Sequence, residues 1–124
     1  FGLTKTIAIG AIGAGIVAVT MPFSPNLITL YVLQSFGGFF FGMNVTILLA
    51  LVLMKVSNEV QTSRMGLYQS IYSIGLAIGP MIAGFILEET SLKITYFIMG
   101  TVVIIVGCFA NKLLPSNMLN EKQV

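Results

Sequence analysis

Four long apolar segments, separated by short polar stretches, dominate the pattern along this chain. They cover approximately residues 6–21, 27–54, 65–87 and 94–114 and are nearly free of charged side chains. An apolar helix of roughly 20 residues crosses about 30 Å of hydrocarbon. An unpaired strand is disfavoured there, because lipid contains no water to hydrogen-bond its backbone groups. The pattern therefore predicts an all-α membrane protein with four antiparallel transmembrane helices.

The connections between these segments predict where the helices begin and how they follow one another. The first, "PFSPN", contains Pro22 and Pro25 and suits a tight turn. The second, "KVSNEVQTSR", is polar, and we expect Thr62 or Ser63 to cap the third helix. We expect each helix to pack against its neighbour in sequence.

Composition and charge agree with a chain that lies in a membrane. Only 8% of residues are charged, against roughly 25% in soluble domains, and the mean hydropathy is +1.00. The net charge is +2, and the six basic residues are too few and too dispersed along the chain to form a nucleic-acid-binding surface. If the N-terminus is cytoplasmic, Lys93 is the one basic residue on the outer side of the membrane. The positive-inside rule therefore predicts a multi-pass cell-membrane protein with both termini in the cytoplasm. The basic residues inside are then Lys5, Lys55, Arg64, Lys112 and Lys122.

Small residues predict close helix packing, because helices within lipid associate through small side chains rather than through hydrophobicity. On the first helix Gly10, Ala14 and Ala18 follow at four-residue spacing. On the third helix, Gly75 and Gly79 are followed by Ala83 at the same spacing. Pro80 lies among them and is expected to bend the helix.

Enzymatic chemistry has no candidate residues. No Asp, Glu or His lies inside the four segments, and Cys108 is the single cysteine. Without such side chains we expect no catalytic site, no metal site and no cofactor.

Uncharged polar and aromatic side chains are the candidates for a substrate cavity. Gln34, Phe41 and Asn44 share one face of the second helix, and Gln69 and Tyr72 share one face of the third. Such side chains hold a small organic solute through a few hydrogen bonds and broad apolar contact. Alternatively, they bond across helices and hold the bundle together. The hydroxyls of Thr46, Ser70 and Ser73 are expected to bond their own helix backbone.

The third segment carries the most specific pattern in the chain. It resembles the signature G-x8-G-x3-G-P-x2-G-G of the major facilitator superfamily, with Ala83 in place of one glycine. The matching residues are Gly66, Gly75, Gly79, Pro80, Ala83 and Gly84.

The resemblance implies a fold of twelve helices in two halves, with the substrate at the membrane midplane. We interpret the four helices as the last four of the twelve, because Gln34 stands where the N-terminal half of the family has arginine and because the chain stops soon after the fourth segment. The alternative is helices three to six. In either case the remaining helices of the same polypeptide are the expected partners. The resemblance further implies that the second helix lines the substrate path, the third flanks it, and the first and fourth lie outside.

The leading functional interpretation is part of a secondary active transporter for a small organic solute. The signature is associated in the family with exporters and antiporters, so it favours efflux. A chain that starts with Phe1 rather than Met is expected to be a fragment. The alternatives are a membrane subunit or assembly protein without transport activity, and a complete small four-span multidrug transporter. The latter relies on a membrane-embedded glutamate, which the first segment lacks.

Overall fold

The computed structural model describes residues 2–54 and 56–113 as a bundle of four α-helices. These are α1 (Leu3–Thr20), α2 (Leu27–Leu53), α3 (Asn58–Glu89) and α4 (Leu92–Leu113), with a 3₁₀ turn at Met21–Phe23. All four are long and apolar enough to cross a membrane by length and composition. The predicted all-α fold with four long apolar helices is therefore confirmed.

Three of the four helices begin before their predicted apolar segments. α2 begins where expected, and the Asn26 side chain accepts a 2.9 Å hydrogen bond from the Thr29 backbone amide. α3 begins at Asn58, with Ser57 in the capping position, so the expectation that Thr62 or Ser63 caps it is wrong. The physical reason is that Glu, Gln and Arg are good helix formers, so the helix continues through the polar connection.

The other differences at helix ends are small. α1 begins at Leu3 and α4 at Leu92, each a little before its predicted apolar segment. α4 is described as far as Leu113, and the expected end at residue 114 lies outside the described residues.

α1 is the central helix of the bundle. Its contact with α4 is the most extensive between any two helices, and its contact with α2 is the next. α3 touches α2 and α4 only sparsely, although both are its neighbours in sequence. The expected packing of each helix on its sequence neighbours therefore misses the main contact, which joins the first helix to the last.

Two glycines allow α1 and α4 to approach each other closely. A β-carbon added to Gly15 would lie 2.8 Å from the Gly100 carbonyl oxygen, and one added to Gly100 would lie 2.9 Å from the Gly15 carbonyl oxygen. Further along, a β-carbon on Gly107 would lie 2.6 Å from the Ala11 methyl carbon. This reversed order of contacts shows that the two helices are antiparallel.

A second face of α1 packs against α2. Gly13 accommodates the Phe40 ring, and a β-carbon on Gly37 would lie 3.2 Å from Val17. Close contacts of α1 are thus divided between two faces rather than following the single stripe of Gly10, Ala14 and Ala18. The buried residues of the bundle accordingly belong to α1 and α4, and neither α2 nor α3 has a buried residue.

Some hydroxyl groups of α2 and α3 donate hydrogen bonds to the backbone of their own helix. Thr46 donates to the Gly42 carbonyl and Ser70 donates to the Gly66 carbonyl, each at 2.9 Å. The prediction that these hydroxyls bond their own helix is confirmed for Thr46 and Ser70, whereas the Ser73 hydroxyl makes no such bond to the described backbone of α3.

Candidate functional site

A cavity with polar lining lies between α2 and α3. Its volume is about 640 Å³, within the range of roughly 300–1,000 Å³ that is usual for small-molecule sites. α3 contributes polar and aromatic side chains, and α2 contributes mainly apolar ones. The lining residues are Phe41, Asn44, Val45, Leu48, Val52, Arg64, Leu67, Tyr68, Ile71 and Tyr72.

The α2 side of this cavity contains one amide, Asn44. It lies against Gly10 of α1, and a β-carbon on Gly10 would lie 2.8 Å from both the Oδ1 and the Nδ2 of Asn44. Within the described residues, Oδ1 is buried and accepts no hydrogen bond. A buried acceptor without a donor lowers the stability of a fold by roughly 1–3 kcal/mol. Stabilisation of the four helices therefore does not explain why an amide stands at this position.

The α3 side of the cavity is formed by Arg64, Tyr68 and Tyr72, which follow at four-residue spacing and so share one face. The two tyrosine rings are stacked, with centroids 6.1 Å apart and an angle of 11° between their planes. The nearest carboxylate in sequence, Glu59, precedes Arg64 by five residues, which places it about 140° away around the helix.

The structure brings together three of the five predicted cavity residues. Phe41, Asn44 and Tyr72 line the cavity, whereas Gln34 and Gln69 are exposed and lie outside its lining. Arg64 and Tyr68 line it as well and were not among the predicted residues. Their four-residue spacing ahead of Tyr72 indicates that they share one helix face with it. Arg64, however, lies just before the apolar segment 65–87, and the predicted cavity residues all lie within the apolar segments.

The glycines of the α3 signature face open space in this part of the protein. Apart from adjacent residues and the nearby backbone of α3 itself, no atom of the described residues lies within 4 Å of a β-carbon added to Gly66, Gly75, Gly79 or Gly84. Gly79, Pro80, Ala83 and Gly84 line a groove of about 590 Å³ beside the start of α4. α3 continues as one helix through Pro80, and the bend there stays a prediction.

The site has the chemistry of binding. Among residues 2–54 and 56–113, no three His, Cys, Asp or Glu side chains converge as a metal site would require. The cavity lining offers one guanidinium, one amide and two phenols among apolar side chains. Such a set can hold and orient a solute without reacting with it.

Comparison with known protein families gives one match. A family model described as Major Facilitator Superfamily matches residues 1–122. No match was found among curated proteins or among solved structures.

Proposed function

Because this chain belongs to the Major Facilitator Superfamily, which is a family of transporters rather than enzymes, we propose that it forms part of a secondary active transporter. The proposed activity is the movement of a small organic solute across the cell membrane by alternating access. The family match over residues 1–122 is the observation that carries this proposal.

The cavity between α2 and α3 is the proposed part of the substrate path. It is open on one side, and α2 and α3 have no buried residues, so both helices have surface for further contacts. We propose that the remaining helices of the same polypeptide complete the path and that these four are the last of twelve. Gln34 and Gln69 stay proposed cavity residues, because they are exposed on the two helices that border it.

The proposed direction of transport is efflux, by antiport. Its support is the resemblance of the α3 signature, which spans Gly66 to Gly84, to the form associated with exporters and antiporters. The exposed small-residue face of α3 is proposed to pack on another helix of the polypeptide and to shift against it during transport.

Transport by the full-length protein tests the proposal. Purified protein in proteoliposomes is expected to move at least one member of a panel of small organic solutes when a proton or sodium gradient is imposed. Empty liposomes and a dissipated gradient are the controls. Failure to move any solute in a broad panel, by a folded protein, would favour a membrane subunit without transport activity.

A matched pair of phenylalanines tests the cavity. Phe41 lines it, whereas Phe39 lies outside the lining and is 66% exposed. Phe41→Ala is expected to raise KM about tenfold, equivalent to roughly 1.4 kcal/mol of lost binding, while Phe39→Ala leaves KM near that of the parent. Equal KM values for both variants and the parent would remove the cavity from the substrate path.

A further inference from the structure

The cavity between α2 and α3 has a distribution of charge that narrows the class of solute it can hold. Among the described residues that line it, Arg64 alone is charged. The arginine guanidinium remains protonated at physiological pH and presents donors in a planar fork that matches a carboxylate. The cavity thus has a permanent positive charge on a largely apolar lining.

The stacked tyrosines extend this site along α3. With a rise of 1.5 Å per residue, Arg64 and Tyr72 lie roughly 12 Å apart along the helix. The rings of Tyr68 and Tyr72 fill the interval, and their stacked arrangement keeps them beside each other. An aromatic or aliphatic body lying along these rings would bring an acidic group at its end to Arg64.

The opposite wall is suited to the same kind of body. Val45, Leu48 and Val52 face the cavity from α2 and present only hydrocarbon. Because α2 and α3 are joined by a short connection, Val52 lies toward the Arg64 end, and Phe41 and Asn44 lie toward the Tyr72 end. The Asn44 amide offers a single polar contact at the end away from the charge.

We propose that this cavity binds an amphipathic organic anion, with its carboxylate or similar acidic group at Arg64 and its apolar body between the α3 tyrosines and Leu48. The inference rests on the proposed transport function of the same site. An organic cation of the same size is disfavoured, because its charge would be repelled by the like charge of the Arg64 guanidinium. A lipid phosphate shares the anionic chemistry, and the experiment below separates the two sources.

Three probes that share one aromatic body test the charge preference. Full-length protein in nanodiscs of phosphatidylcholine is titrated with pyrenebutyrate, pyrenebutanol and pyrenebutylamine, which differ only in the terminal group. Pyrenebutyrate is expected to bind about tenfold more tightly than the amine, a difference of roughly 1.4 kcal/mol. The alcohol is expected to fall between them.

Substitutions at Arg64 separate its role from general effects on the protein. Arg64→Gln should remove the preference for pyrenebutyrate, and Arg64→Lys should retain part of it, which also shows that the site tolerates substitution. Lys112→Gln is the matched control, because Lys112 is exposed near the end of α4 and does not line the cavity. It should leave all three affinities unchanged.

Three results would overturn the proposal. They are equal affinity of the parent protein for the three probes, a preference that persists in Arg64→Gln, and displacement of pyrenebutyrate when phosphatidylglycerol is added to the nanodisc. The last would mean that the cavity holds a lipid headgroup. Transport without a charge preference would overturn this inference alone, whereas anion binding without transport would overturn the proposed function.

Discussion

The contact between Gly10 and Asn44 joins the stability of the bundle to its candidate site. Gly10 leaves space for the amide, and Asn44 Oδ1 is buried there without a donor among the described residues. The two ends of an amide have nearly the same shape, so rotation of the group exchanges an acceptor for a donor at little steric cost. An amide held in this way can turn its donor or its acceptor toward a solute in the cavity.

Substitutions at these two residues should therefore affect stability in opposite directions. Asn44→Leu keeps a similar volume and removes the unpaired acceptor, so the full-length protein should melt at or above the parent temperature. Gly10→Ala places a methyl group 2.8 Å from the amide atoms, and should lower Tm. The measurement is the fraction of monodisperse protein on size-exclusion chromatography after heating.

Transport measured on the same variants distinguishes a binding role for Asn44 from a structural one. Asn44→Leu is expected to reduce transport despite its retained stability, because Asn44 is the one amide in the described lining of the cavity. A fall in Tm for Asn44→Leu would contradict the interpretation, since it would show that the amide has a stabilising partner elsewhere in the protein.

At the scale of the helices, the crossing of α1 and α4 depends on two glycines rather than on apolar side chains. Gly15 and Gly100 lie against each other's backbone, where a side chain on either would meet a carbonyl oxygen. Membrane helices associate through such close contacts because burial of apolar surface gains little in lipid. This explains why the first and last helices form the main contact.

A single methyl group at this crossing should be costly. Gly15→Ala must separate the helices, because the new carbon would lie 2.8 Å from the Gly100 carbonyl oxygen, and overpacking of this kind costs typically 1–3 kcal/mol. Gly38→Ala is the matched control on α2, where no described atom lies within 4 Å of the added carbon. Thermal unfolding should show a lower Tm for Gly15→Ala only, and equal Tm values for the two variants would contradict the assigned crossing.

The helices themselves were predictable because lipid leaves few alternatives to an apolar segment of this length. The start of α3 was not, since hydropathy identifies the part of a helix that crosses the membrane and not the polar turns that precede it. The pairing of α1 with α4 was also missed. It depends on Gly15 meeting Gly100, and a stripe of small residues read on one helix does not identify its partner.

The candidate site was predictable to the extent that it follows helical periodicity. Spacing on α2 placed Phe41 and Asn44 on one face, and both line the cavity. Gln34 shares that face but is exposed and lies outside the cavity lining. Which residues of a helix face line the cavity depends on the relative position of the two helices. The spacing of residues along either helix does not determine that position.

At the scale of the whole molecule, α3 has the least support from the other described helices. It has no buried residue, its signature glycines are uncovered, and its contacts with α2 and α4 are sparse. Its open side and the open side of α2 flank the same cavity. A helix with so few contacts in the bundle has surface available for further helices of the polypeptide, as expected of a transporter in which one half moves against the other.

The orientation of the bundle in the membrane gives a last prediction. The Lys93 ammonium lies 5.4 Å from the centre of the Phe23 ring, so the first and third connections lie at the same end. Lys5, Arg64 and Lys112 belong to the opposite end, and the excess of basic residues there predicts that this end lies in the cytoplasm. Single cysteines introduced into a cysteine-free full-length protein, with Cys108→Ser, test this. Ser91→Cys should react with a membrane-impermeant maleimide in intact cells, and Ser57→Cys, whose hydroxyl does not cap α3, should react only after permeabilisation. The reverse labelling pattern would mean that the bundle is inverted.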